Sequence, residues 1–310
     1  MAQVPAVLLP EPGEGGLATA DPAALVAAVG RAWDLFGDLV DDVDLDAVAR
    51  GRGLLAREVV IPLGAWPDNR PIAVLLDEAR RGVVGDHDQG TLVDEVRERH
   101  KDESDDAIRA AVRRQREELD AFVASPAYAE CAALPVASML GTLPLLTFLH
   151  AATYPIATSA LDLEQCGAVA PDELLDSGLL GLVDTIGCLA GRQGLSASLV
   201  ARSTTTVVGT GAHGGAWRTS VLDPAVADAG PSLSGTTRLL LDVTAGRADV
   251  PGSLARRELT FADVPGLLAL APIVEQVPGI PGRAALVAAI RAASAIASLG
   301  KLLPFGRKAP

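Results

Sequence analysis

The chain is poor in aromatic side chains: of 310 residues only 3% are Phe, Trp or Tyr. Ala, Leu and Val must therefore fill its core, which suits closely packed helices. Cysteine is scarce as well. Cys131, Cys166 and Cys188 are too few and too scattered for a disulfide framework or a zinc knuckle. They read as reduced, mostly buried thiols of a cytoplasmic protein. Positive charge is short, with 26 Lys and Arg against 39 Asp and Glu and a net charge of −13. No cationic field covers the molecule, so nucleic acid is excluded as a partner. No uncharged apolar run reaches about 18 residues, so no spanning helix is predicted. The N-terminal MAQVPAVLLPEPGEGG lacks a basic region, and Pro5 and Pro10 break its apolar run, so no signal peptide is read. GxSxG, a P-loop, CxxC and a GxGxxG following a strand are all missing.

What is present supports a large core. Hydrophobic residues make up 49% and mean hydropathy is +0.30. The length fits two domains. The longest apolar run with polar residues set into it spans residues 143–163. Leu146, His150, Tyr154 and Thr158 recur every four residues, which on a helix places them on one face. They are expected to line a shared pocket. Pro155 removes a backbone donor and clashes with the carbonyl four residues back, so a kink is predicted over residues 151–155. His150 and Tyr154 have two readings. One is an acid–base pair; the other is a core histidine satisfied by a hydroxyl or a carbonyl. Ser159 and Asp162 read as helix-end hydrogen bonders.

Residues 1–20 are rich in Pro and Gly and read as an extended arm. Asp21-Pro22 reads as the cap and first residue of a helix carrying Leu25, Val29, Trp33 and Phe36. Asp41, Asp42, Asp44 and Asp46 form an acidic connection without the central glycine and terminal glutamate of a calcium loop. GDHDQG places His87 between aspartates in a glycine-flanked loop. Residues 105–123 carry a narrow apolar stripe of Ile108, Val112, Leu119 and Phe122 on a charged helix. Asp172 opens another helix, ending near Gly191. After Gly194 the texture changes. SASLVARSTTTVVGTG is rich in β-branched residues, AHGG is a turn, and AWRTSVLD returns, which is a hairpin pattern. Later strand candidates are SLS and RELTF. The fold class is therefore α+β, with an all-helical half at residues 21–192 and a smaller α+β half at 193–310.

The order of these pieces resembles the mycothiol-dependent maleylpyruvate isomerase family. The matching residues are Asp162-Leu163 with Gly167, then Gly215-Ala216-Trp217, then Ser234-Gly235 with Leu239, Leu240, Leu241, Gly246 and Arg247. The resemblance covers most of residues 22–250. It implies an N-terminal DinB-like four-helix bundle and a C-terminal domain akin to sterol carrier proteins. It also places Trp217 at the pocket and gives Arg247 an anionic group to hold. In the family a histidine of the second helix, and a glutamate and histidine four apart, bind a divalent metal. The corresponding positions here read Pro62, Pro155 and Ser159, so no metal site is expected.

The resulting expectation is an apolar pocket between bundle and α+β domain, binding a hydrophobic or thiol-conjugated small molecule without a catalytic metal. Its wall is expected to include Leu146, His150, Tyr154, Thr158, Trp217 and Arg247, with no catalytic residue assigned and no cofactor required. The alternative is a mycothiol-dependent isomerase or transferase working without metal. A third reading concerns residues 283–310, which hold Arg283, Arg291, Lys301, Arg307 and Lys308 and no acid. This apolar, basic helix either packs on the acidic body or lies on an anionic membrane surface, making the protein peripheral there.

Overall fold

Asp21 opens the first long helix, α1 (Pro22–Asp41). Its carboxylate accepts from the Ala24 N–H at 3.0 Å, and Pro22 occupies a first-turn position that needs no N–H. Leu25, Val29, Ala32, Trp33, Phe36 and Val40 recur at helical spacing and are all buried. Asp21→Ala removes the cap, and the expected loss is about 1 kcal/mol, read as a lower urea midpoint at an unchanged m value.

The computed structural model describes residues 4–51, 53–85, 88–224 and 230–276. His87 and the expected C-terminal basic helix lie outside the described residues. A connection containing the short helices Ala56–Val60, Ile72–Arg81 and Gln89–His100 leads from α1 to α2 (Asp105–Val123). The expected stripe of Ile108, Val112, Leu119 and Phe122 is buried, and the charged remainder faces out. Two more helices, α3 (Thr153–Leu163) and α4 (Asp172–Arg192), complete a four-helix bundle. In it α1 touches the other three, and α3 runs along α4.

The second layer is a five-stranded sheet: β1 (Ala197–Arg202), β2 (Val207–His213), β3 (Ala216–Val221), β4 (Ser232–Ser234) and β5 (Thr260–Ala262). The order is β3-β2-β1-β4-β5, with β1 and β4 parallel and all other pairs antiparallel. The helix α5 (Thr237–Thr244) joins β4 to the rest and packs on α3 and α4. The segment expected as one strand before the AHGG turn is two strands. Ser203 turns the chain, its Oγ accepting from the Thr205 and Thr206 N–H groups at 3.2 and 2.9 Å. A hydroxyl does here what glycine or proline usually does.

Both layers meet on α4. Among the described residues it is the one helix long and apolar enough to cross a membrane, yet 72% of its apolar window is buried between bundle and sheet. Glycines make the double contact feasible. A Cβ on Gly181 would overlap Thr153 Oγ1 in the bundle, and one on Gly187 would overlap Thr210 Oγ1 in the sheet.

The N-terminal arm, expected to be extended, is folded against the sheet. Along β2, Thr210 faces α4, whereas Gly209 and Gly211 face the arm's Leu8, so arm and helix cover opposite faces of one pleated strand. Leu8 is fully buried with Val4, Val200, Val207 and Leu222. Glu14 and Gly16 exchange backbone hydrogen bonds with Trp217 on the edge strand β3, at 3.1 and 2.8 Å. Of the apolar AVLL that follows Pro5, Leu8 is core, whereas Ala6, Val7 and Leu9 are exposed.

Candidate functional site

The predicted kink divides the run into two helices, Leu145–Ala151 and α3, joined through Ala152, whose backbone stays helical at φ −64° and ψ −20°. Pro155 accounts for the position: its missing N–H and its ring act on the turn that Ala151 would have closed. Beneath this kink, bounded by bundle and sheet, lies a cavity of about 1010 Å³. That is the upper end of the roughly 300–1,000 Å³ usual for small-molecule sites. Its wall is mostly apolar and includes Trp33, Leu63, Phe148, Leu182, Ile186, Leu199, Leu233 and Phe261.

From the kinked helix the cavity takes Phe148, Ala151, Pro155, Thr158, Ser159 and Asp162, with Tyr154 beside them. Of the six residues expected on the wall, Tyr154, Thr158 and Arg247 line it; Leu146, His150 and Trp217 do not. Leu146 and His150 precede the kink, and that segment turns Phe148 and Ala151 to the cavity and Leu146 into the core. His150 belongs to a different cluster. Its Nδ1 lies 3.0 Å from Asp184 Oδ2, and Trp217 Nε1 donates to Asp184 Oδ1 at 3.2 Å. His150 is 1% exposed and Asp184 is fully buried. The core reading of His150 holds, with a carboxylate as its partner. Trp217 is held by the same carboxylate, away from the cavity.

The cavity's polar cluster joins α3, the loop after α1 and the end of α5. Arg50 forms a two-pronged ion pair with Asp242, one contact being Nη1 to Oδ2 at 3.1 Å. Arg247 donates to the Thr158 carbonyl at 3.0 Å and approaches Asp162 Oδ1 to 2.8 Å. Arg50 Nε lies 3.7 Å from the same oxygen. Arg50 is too far and the Arg247 N–H is not aimed at it, so neither hydrogen-bonds that buried oxygen. Asp162 is therefore a paired carboxyl rather than a helix-end bonder. Burial raises its pKa above the usual carboxylate value, and the Arg247 and Arg50 charges only partly oppose this. Tyr154 is raised too, chiefly by burial. Its hydroxyl makes no hydrogen bond of good geometry, and the neighbouring Thr244 hydroxyl donates to the Leu240 and Leu241 carbonyls at 3.2 and 2.9 Å. The two guanidinium side chains are about a third exposed, at 38% and 34%, whereas Asp162 is at 11%. The arginines thus form a rim with the carboxyl behind it.

Sequence reasoning missed Arg50, Asp242 and Arg70. Asp162 was within reach of it, lying four residues after Thr158 on the same helix face. Arg50 sits in a loop and Asp242 on α5, 192 residues apart, so no local spacing announces the pair.

Pro62, Pro155 and Ser159, which stand at the metal-binding positions of the resembled family, all lie on the cavity wall. Their chemistry does not fit a metal: two prolines offer no side-chain donor, and a serine offers one neutral hydroxyl. Among the described residues, no group of three or more His, Cys, Asp or Glu could hold an ion.

The fold and cavity define a class: a helical bundle packed on a small sheet, with a ligand-sized space at the seam. No protein family and no curated protein matches the chain significantly. Solved structures similar to it include crystal structures of the mycothiol-dependent maleylpyruvate isomerase and of a mutant of that enzyme. Each is 16% identical at a TM-score of 0.47, covering 77% of this chain and 92% of that one. Both carry the name of the family that the motif order resembles.

Proposed function

We propose that the cavity binds a hydrophobic small molecule bearing an acidic group, free or as a thiol conjugate, without a catalytic metal. The observation that carries this reading is the mostly apolar space of about 1010 Å³ with Arg50 and Arg247 at its rim. An apolar body enters, and the acidic head stays between the guanidinium groups. Charge accounting supports the arrangement. Two arginines face two carboxylates, and the buried Asp162 has raised proton affinity. When it is protonated the cluster is left with one net positive charge. Native mass spectrometry of the purified protein tests the reading: a co-purifying acidic, apolar compound is expected, released on denaturation.

Anion binding here favours protonated Asp162. Affinity for hexadecanoate therefore falls as pH rises through the raised Asp162 pKa, and Asp162→Asn removes that fall. Fluorescence titration across pH checks this; equal pH profiles for both proteins would contradict it.

A second reading is a metal-independent, mycothiol-dependent isomerase or transferase. It is supported by the motif order and by Tyr154 and Asp162, two protonatable groups on the cavity wall, one with a hydroxyl and one with an ion-paired carboxyl oxygen that make no hydrogen bond. Such groups suit proton transfer to a substrate. Turnover of a mycothiol conjugate by the metal-stripped protein, lost in Tyr154→Phe, would favour this reading over simple binding.

A further inference from the structure

Arg70 is the most deeply placed cation on the cavity wall, and it is incompletely used. Its side chain is only 9% exposed. Nη2 is ion-paired to Glu78 and donates to the Ala137 carbonyl at 3.0 Å. Nε and Nη1 are buried with no hydrogen-bond partner in the protein. The guanidinium lies 5.7 Å from the centre of the Phe148 ring, itself part of the wall. The backbone is unusual as well. Arg70 has φ +45° although it directly precedes Pro71, a position that normally takes extended backbone. Buried unpaired donors are costly, and strain of this kind persists where the surroundings enforce it.

Arg70 and Arg247 both line the cavity, and their partners have no residue in common. They also differ in charge. Glu78 already neutralises Arg70, and a second carboxylate there would be left without a counter-charge in a dry site. An uncharged acceptor needs none, and it satisfies the free N–H groups once the side chain turns them from their closed packing to the cavity.

We propose that Arg70 is a second ligand-anchoring residue, donating to an uncharged oxygen on the far part of the ligand. Resting on the acid-at-the-rim reading, this narrows the ligand class to oxygenated apolar acids: an acidic head at Arg50 and Arg247, an apolar body, and a hydroxyl or carbonyl oxygen reaching Arg70.

Calorimetric titration with ω-hydroxy alkanoic acids of ten to sixteen carbons, against the parent acids of equal length, tests the assignment. At the length that spans the cavity, the hydroxy acid is expected to bind about ten-fold tighter than its parent. Arg70→Met removes that preference and leaves the parent acids unchanged. Arg70→Lys keeps a cation for Glu78 but lacks the extra N–H groups, so it gives the same loss in a variant that retains the ion pair. Parent acids that bind with no hydroxy preference at any length overturn the Arg70 assignment and leave the rim reading standing. A stronger preference for the dicarboxylic acids overturns the uncharged-acceptor assignment. If no acid binds at all, both readings fall.

Discussion

Asp184→Ala is expected to cost about 3 kcal/mol or more, since two buried donors lose their acceptor at about 1–3 kcal/mol each, or to leave the protein insoluble. The carboxylate is fully buried and serves three elements at once. It receives His150 from the helix Leu145–Ala151, Trp217 Nε1 from β3, and at 3.5 Å the Leu17 N–H from the arm. Removing it strands an imidazole and an indole donor in the core, where water does not replace the lost acceptor. Asp184→Asn keeps one acceptor oxygen and should lose distinctly less. Urea unfolding monitored by tryptophan fluorescence distinguishes them. Equal stabilities of Asp184→Ala and the parent would show that the cluster does not join the layers.

Gly187→Val is expected to be similarly severe, at about 3 kcal/mol or more, beyond the usual range for overpacking. The new Cβ would meet Thr210 Oγ1 and, at 2.8 Å, Trp217 Cδ1. Both neighbours belong to the sheet, and Thr210 is fixed by its hydrogen bond to the Arg218 carbonyl at 3.0 Å. Relief therefore requires moving α4 off the sheet, which also opens the cavity wall at Ile186 and Leu189. Gly194→Ala, in the loop after the same helix, meets no atom within 4 Å. Its cost is that of a positive φ alone, a smaller effect. Comparative thermal melts should place Gly187→Val well below Gly194→Ala; the reverse order would contradict the close helix–sheet approach.

The helices were legible because their signals are local. Asp21-Pro22 announces a start, Pro155 a kink, and the 108–112–119–122 stripe a buried face. The three-stranded meander was half legible: AHGG shows as a turn, but the Ser203 turn uses a hydroxyl and carries no glycine or proline. The arm misled because Pro5, Pro10 and the glycines suggest an extended tail, whereas Leu8 has a cavity waiting between Gly209 and Gly211, a fit visible only after folding. The site was legible at Tyr154, Thr158 and Arg247. His150 and Trp217 were placed with them on spacing and on family resemblance, and neither reveals a carboxylate 34 residues downstream of His150. Arg50 and Arg70 sit in irregular loops, where sequence spacing has no geometric meaning.

The central claim, that an acidic and apolar ligand is held by the rim arginines, is tested most directly by calorimetric titration of hexadecanoic acid and hexadecanol into the parent protein and Arg247→Met. The account predicts that the parent binds the acid at least about ten-fold tighter than the alcohol, and that Arg247→Met brings the acid to the level of the alcohol while leaving the alcohol unchanged. Equal binding of acid and alcohol by the parent protein, or an unaltered preference in Arg247→Met, would contradict it.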